Sequence, residues 1–189
     1  IGGTNVTSDA TELNLLDGAT VVIPGKVEGT NFTDSLLVGH ATTGTLNAAQ
    51  DNTGVGIGAL DAITSADSVT AIGNDAATNV TTGGYSTVVG AGAYFTNSTG
   101  TNNTAVGRFS LRSSTGSNNV ALGKDSGEAL GSGSQNIIIG SNTGDQYPTT
   151  GSGNVLIGNN IDADATSSAR TLKIAGYDGS TTTTWISGD

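Results

Sequence analysis

Asn103-Thr104-Ala105-Val106-Gly107 returns as Asn119-Val120-Ala121-Leu122-Gly123, and once more as Asn136-Ile137-Ile138-Ile139-Gly140. A strand of three residues closed by glycine, repeated at a near-constant interval, marks a solenoid in which each coil buries its apolar face only against its neighbours. The phrase extends toward the N-terminus through Leu36-Leu37-Val38-Gly39, Val55-Gly56-Ile57-Gly58, Thr70-Ala71-Ile72-Gly73 and Thr87-Val88-Val89-Gly90. Toward the C-terminus it continues in Val155-Leu156-Ile157-Gly158 and Lys173-Ile174-Ala175-Gly176. With the last glycine of each copy taken as its close, the closes are Gly39, Gly58, Gly73, Gly90, Gly107, Gly123, Gly140, Gly158 and Gly176. The step from Gly39 to Gly58 is the longest and that from Gly58 to Gly73 the shortest. The expected fold is all-β, a parallel β-roll or β-solenoid of about nine rungs with a period of roughly 17 residues.

Strand side chains alternate, so the residue before the closing glycine shares a face with the one two earlier. Val55/Ile57, Thr70/Ile72, Thr87/Val89, Thr104/Val106, Val120/Leu122, Ile137/Ile139 and Val155/Ile157 are expected to point inward. Seven residues before the close stand Gly83, Gly100, Gly116, Gly133 and Gly151, and four before it Asn103, Asn119, Asn136 and Asn154. Glycine for positive φ and Asn for local hydrogen bonds are what tight turns use. Each repeat reads as turn, inner strand, glycine corner and second strand.

Hydrophobic residues make up 34% of the 189, with three Phe, one Trp and no Met, which leaves only a thin core. Apolar burial at roughly 25 cal/mol per Å² has to offset the ordering entropy of a Gly- and Thr-rich chain. A single coil with so little to bury calls for partner copies, so the roll is expected to form a homo-oligomer with no stable isolated monomer.

Sixteen acidic residues face six basic ones, a net charge of −10, which disfavours phosphate neutralisation and therefore nucleic-acid binding. The longest apolar runs are too short to span a bilayer, so no membrane insertion is expected. Absence of Cys removes disulfides and thiolate metal sites.

Residues 1–34 fall outside the repeat and read as an N-terminal adaptor. Ser8 to Gly18 offers a short helical turn with Leu13 and Leu16 on one side, and Val21-Val22-Ile23 a strand. Residues 35–176 form the repeat domain and 177–189 a C-terminal β tail. The chain opens on Ile1 without an initiating Met and reads as a segment of something longer.

Asn103 to Gly107, Asn119 to Gly123 and Ser68-Val69-Thr70-Ala71-Ile72-Gly73 resemble the YadA-like head repeats of trimeric autotransporter adhesins. The longer spacing and the Thr-Gly-Ser-Asn-Asn turns are closer to the repeat regions of bacteriophage tail fibres. Thr11-Glu12-Leu13-Asn14-Leu15-Leu16-Asp17-Gly18 is similar to a phrase of phage fibre proteins, and Trp185-Ile186-Ser187-Gly188-Asp189 to fibres that continue into a self-cleaving chaperone domain. The resemblance implies a homotrimer with three chains around one axis, a structural segment of a virion tail fibre acting as shaft or host-attachment element. It implies tail or baseplate proteins and a host cell-surface glycan or protein as partners. The alternative is the head of a bacterial surface adhesin that binds host or matrix. A polysaccharide-degrading tailspike comes third.

Residues able to carry chemistry are sparse. His40, the lone histidine, follows Gly39 in a corner with no nucleophile and acid in a recognisable pattern. Asp61, Asp67, Asp75, Asp125, Glu128 and Asp145 could supply a glycosidase pair, but they fall in turns where acidic residues are expected and no position recurs between rungs. Asp51-Asn52 and Asp162-Ala163-Asp164 hint at calcium without the loop pattern that binds it. Gly90-Ala91-Gly92 lacks the Lys-Ser/Thr of a phosphate loop, and the threonines do not form the flat array of an ice-binding surface. The expectation is a non-enzyme without cofactor or metal. Tyr94, Phe95, Arg108, Phe109 and Arg112 form the one conspicuous cluster of large side chains. It reads either as a surface-binding patch or as packing for the outer strand or subunit seam, and packing is favoured.

Overall fold

The computed structural model describes residues 25–29, 32–39, 43–146, 150–165, 167 and 169–188. The expected helical turn near Leu13, the strand at Val21 to Ile23 and His40 lie outside them. The described residues are all-β with no helix, and form one parallel solenoid.

The strands are β1 (Gly25–Gly29), β2 (Phe32–Val38), β3 (Ala49–Gln50), β4 (Thr53–Val55), β5 (Thr70–Ile72), β6 (Thr87–Val89) and β7 (Thr104–Val106). They continue as β8 (Val120–Leu122), β9 (Ile137–Ile139), β10 (Val155–Gly158), β11 (Leu172–Tyr177) and β12 (Thr182–Gly188). From β2 through β4 to β11 each strand pairs in parallel with the next, so eight coils carry nine stacked strands. Antiparallel partners close both ends, β1 on β2 and β12 on β11, while β3 pairs the start of β2.

The pairing corrects the reading of two glycines. Val38 lies opposite Val55 and Val55 opposite Ile72, so the corner of the second rung is Gly56, not Gly58. The apparent long and short steps become two equal ones, Gly39 to Gly56 and Gly56 to Gly73, each the same as the step from Gly73 to Gly90. At the other end Gly158 is matched by Ala175, not Gly176. The Val-Gly-Ile-Gly phrase offers two glycines, and only stacking chooses between them.

The closing position needs glycine for two reasons. Gly107 has φ +133°, and a Cβ on it would stand 2.5 Å from the carbonyl carbon of Gly123 in the next coil. The column at seven residues before the close obeys only the second reason. Gly83, Gly100, Gly116, Gly133 and Gly151 are outside the left-handed region, yet a Cβ on Gly116 would stand 2.7 Å from the Gly133 carbonyl carbon. The left-handed turn falls two residues later, on Tyr85, Asn102, Asn118, Gln135 and Gly153, with φ between 56° and 74°.

The strand face that points into the coil is also the reverse of the expected one. Leu37, Ala71, Val88, Ala105, Ala121, Ile138 and Leu156, the middle residues, are buried at 3% exposure or less. Their flanking pairs, including Thr70/Ile72 and Val120/Leu122, face out. The coil is too narrow for two large residues per strand, so it takes the single middle one. Volume is shared between coils: a Cβ on Gly127 would stand 3.0 Å from Leu111 of the preceding coil and 3.1 Å from Ile138 of the following one.

Buried turn backbone is satisfied by side-chain ladders. The N–H of Asn119 donates to Asn103 Oδ1 (2.9 Å), that of Asn136 to Asn119 Oδ1 (3.0 Å), that of Asn154 to Asn136 Oδ1 (2.9 Å) and that of Thr171 to Asn154 Oδ1 (3.0 Å). Ser35 and Ser86 play the same part for Asn52 and Asn103. A second ladder runs through Ser117, Ser134 and Ser152, whose hydroxyls accept from the N–H groups of Thr101, Ser117 and Ser134 at 3.0 Å. Buried N–H groups left without acceptors would each cost about 1–3 kcal/mol, so these ladders fix which turn stacks on which.

Candidate functional site

Two surfaces stand out. The first is the outward face of the sheet. Val38, Val55, Ile72, Val89, Val106, Leu122, Ile139, Ile157 and Ile174 lie opposite one another from β2 to β11, and Ile186 extends the column onto β12. Val55, Ile72, Val106 and Leu122 are between 36% and 42% exposed, which is high for aliphatic residues in a sheet centre. Beside it runs a second column, Leu36, Thr53, Thr70, Thr87, Thr104, Val120, Ile137, Val155 and Leu172, with threonine in its middle and aliphatic residues at its ends. Among the described residues nothing covers either column.

The second surface is a corner of the coil just past the closing glycine of β7. It holds four of the five clustered residues and rejects the fifth. Tyr94 is fully buried, with its hydroxyl donating to the Gly100 carbonyl at 3.1 Å, so it cannot serve as surface. Burial pushes its phenol well above the usual range, against the opposing hydrogen bonds of Asn103 and Ser86.

The two arginines converge on one ring, that of Phe109. The Arg108 guanidinium stands 3.9 Å from the centroid of Phe109, and that of Arg112 4.8 Å from the same centroid. Arg112 also lies 5.8 Å from the Phe95 ring of the preceding coil and 3.6 Å from the Glu128 carboxylate of the following one. Phe109 rests over Gly92, where a Cβ would come within 2.5 Å of the ring. The backbone holds Phe109 at φ +59°, a left-handed conformation that is unusual for a bulky residue.

Two neighbours join this cluster: Lys124, which was not singled out from the sequence, and Glu128, which was named there only among the turn carboxylates. Lys124, one coil on from Arg108, contacts the Asp125 carboxylate and reaches Asn142 Oδ1 at 3.2 Å. Glu128 occupies the coil position of Arg112.

The carboxylates do recur by position, contrary to expectation: Asp75 and Asp125 share one place in the coil, and Glu128 and Asp145 another. Burial, followed by the charges of Asp162, Asp125 and Glu128, holds the Asp145 carboxyl above its usual range. Burial likewise raises Asp162, opposed by the Gln146 and Asp145 backbone N–H groups and by Lys173. Among the described residues no three His, Cys, Asp or Glu are grouped to hold a metal ion, and no helix is long and apolar enough to cross a membrane.

No family model, curated protein or solved structure matches this chain.

Proposed function

We propose that the chain is a non-enzymatic structural segment of a bacteriophage tail fibre. Three copies pack their outward columns around a common axis and hold host-attachment elements away from the particle. The supporting observation is the exposed aliphatic column that runs unbroken over ten strands. At about 4.8 Å per strand it is roughly 40 Å long. Monomeric proteins rarely expose apolar surface of that extent. A partner has to present ridges at the same pitch over the same length, and another copy of this chain does so by construction.

Three chains, rather than two, are favoured by the likeness to fibre and adhesin-head repeats. The threonine column then lies toward the seam, where hydroxyls can bond across subunits.

Light scattering on the purified chain tests the assembly, with a mass of three chains expected and a folded monomer at micromolar concentration contradicting it. Immunogold labelling of native material tests the location. Label on phage tails is expected, and label on a bacterial surface in its place would select the adhesin head.

A further inference from the structure

We propose that the Arg108–Phe109–Arg112 corner is a binding site for the anionic groups of a cell-surface glycan, sugars that bear carboxylate or phosphate. The glycan half rests on the host-attachment reading above; the anion half rests on the corner alone.

Charge placement comes first. Between Lys26 and Arg170 the sequence has 11 acidic residues and only three cations, Arg108, Arg112 and Lys124. All three stand on one corner of two adjacent coils. Asp125 and Glu128 pair with Lys124 and Arg112, so among the described residues the exposed Arg108 is the cation of this corner without a carboxylate partner, and on an otherwise acidic chain it draws an anionic ligand to one place.

The geometry is that of a prepared anion site. Two like-charged guanidiniums lie within 5 Å of a single ring centroid, although like charges repel. Stacking on Phe109 holds both guanidiniums and leaves the N–H edge of the exposed Arg108 free to donate. Glu128 pairs with Arg112, but among the described residues Arg108 has no carboxylate partner, and Arg112 Nε is buried without an acceptor. An incoming carboxylate or phosphate would supply the partner that the exposed Arg108 lacks.

Phe109 itself points the same way. Its place in the coil is filled elsewhere by Gly58, Asp75, Gly92, Asp125, Asn142 and Asn160, all with positive φ. Small or amide residues take that conformation cheaply, and Phe does not. The ring is partly exposed, unlike Leu60, Tyr94 and Leu111, which hold a similar conformation fully buried. Exposed Thr96 and Ser113 flank the corner and can bond sugar hydroxyls.

Calorimetric titration of the full chain with polygalacturonate and, separately, with polyglycerol phosphate tests the site, with maltohexaose as the neutral control. At least one acidic polymer should bind and maltohexaose should not. R108Q and F109N, the latter installing the residue of the later coils, should each weaken binding by roughly tenfold or more. Melting temperature and oligomer mass should stay unchanged. No binding of either acidic polymer would overturn the proposal, as would equal binding of maltohexaose. So would variants that melt earlier yet keep their affinity. Trimers that bind nothing sink this site alone, whereas monomers that bind acidic glycan sink the assembly and leave the site standing.

Discussion

The side-chain amide of Asn103 donates to the phenolic oxygen of Tyr94 inside one coil and to the Gly116 carbonyl of the next at 3.0 Å. Asn103 Oδ1 meanwhile accepts from the N–H of Asn119. A single Asn thus ties the core of its own coil to the backbone of the following one. Y94F removes the phenolic partner of Asn103 and the donor to Gly100. It should lower stability by about 1–2 kcal/mol, read as an earlier denaturation midpoint at unchanged slope. An unchanged midpoint would mean that the phenol adds nothing.

Asn119 tests the ladder itself. N119A leaves the N–H of Asn136 and the carbonyl of Gly133 without partners and should cost about 2–3 kcal/mol. N119S keeps an acceptor of the kind that Ser86 already supplies to Asn103 and should recover a substantial part of that loss. Equal destabilisation by both changes would show that the acceptor is not what matters.

Gly107→Ala should not fold, since both its conformation and the neighbouring Gly123 backbone exclude a methyl group. Soluble, cooperatively melting G107A protein would refute the stacking account.

The outward columns give opposite responses to two substitutions. V106K places a cation in the aliphatic column and should shift the assembled species toward lower mass. T104V extends that apolar character and should raise the melting temperature of the assembly. If the face meets only water, light scattering will find the same mass for V106K and melting will not change for T104V.

Asp145 gives a pH signature. Its folded carboxyl binds a proton more tightly than the unfolded one, so its contribution to stability is greatest in acid and falls as pH rises through the shifted range. D145N removes that penalty. Its melting temperature should exceed wild type near neutral pH, and the gap should close on acidification below the carboxylate range. A gap independent of pH would assign the effect to something other than ionisation.

The repeat, its number of rungs and the parallel stacking were legible in the strand-glycine phrase, because a repeat of that length has few other folded solutions. The Asn and Gly positions were legible too, but their reasons were misread. Gly116 serves close approach, and Asn103 serves the next coil as well as its own turn. Such roles depend on an atom one full coil away that no local pattern displays. The corner site was half legible. Composition picked out Arg108, Phe109 and Arg112, while Tyr94 needed burial to remove it and Glu128 needed register to add it.

The sequence by itself determined that short strands alternate with glycine corners and that each strand offers one small or aliphatic residue between two flanking ones. It could not decide which side of a three-residue strand turns inward, since Val120-Ala121-Leu122 is apolar on both sides. Tertiary structure decided that by closing the coil on Ala121 and its equivalents, because the interior has room for one middle side chain and not for two flanking ones. The same closure put the aliphatic column outside.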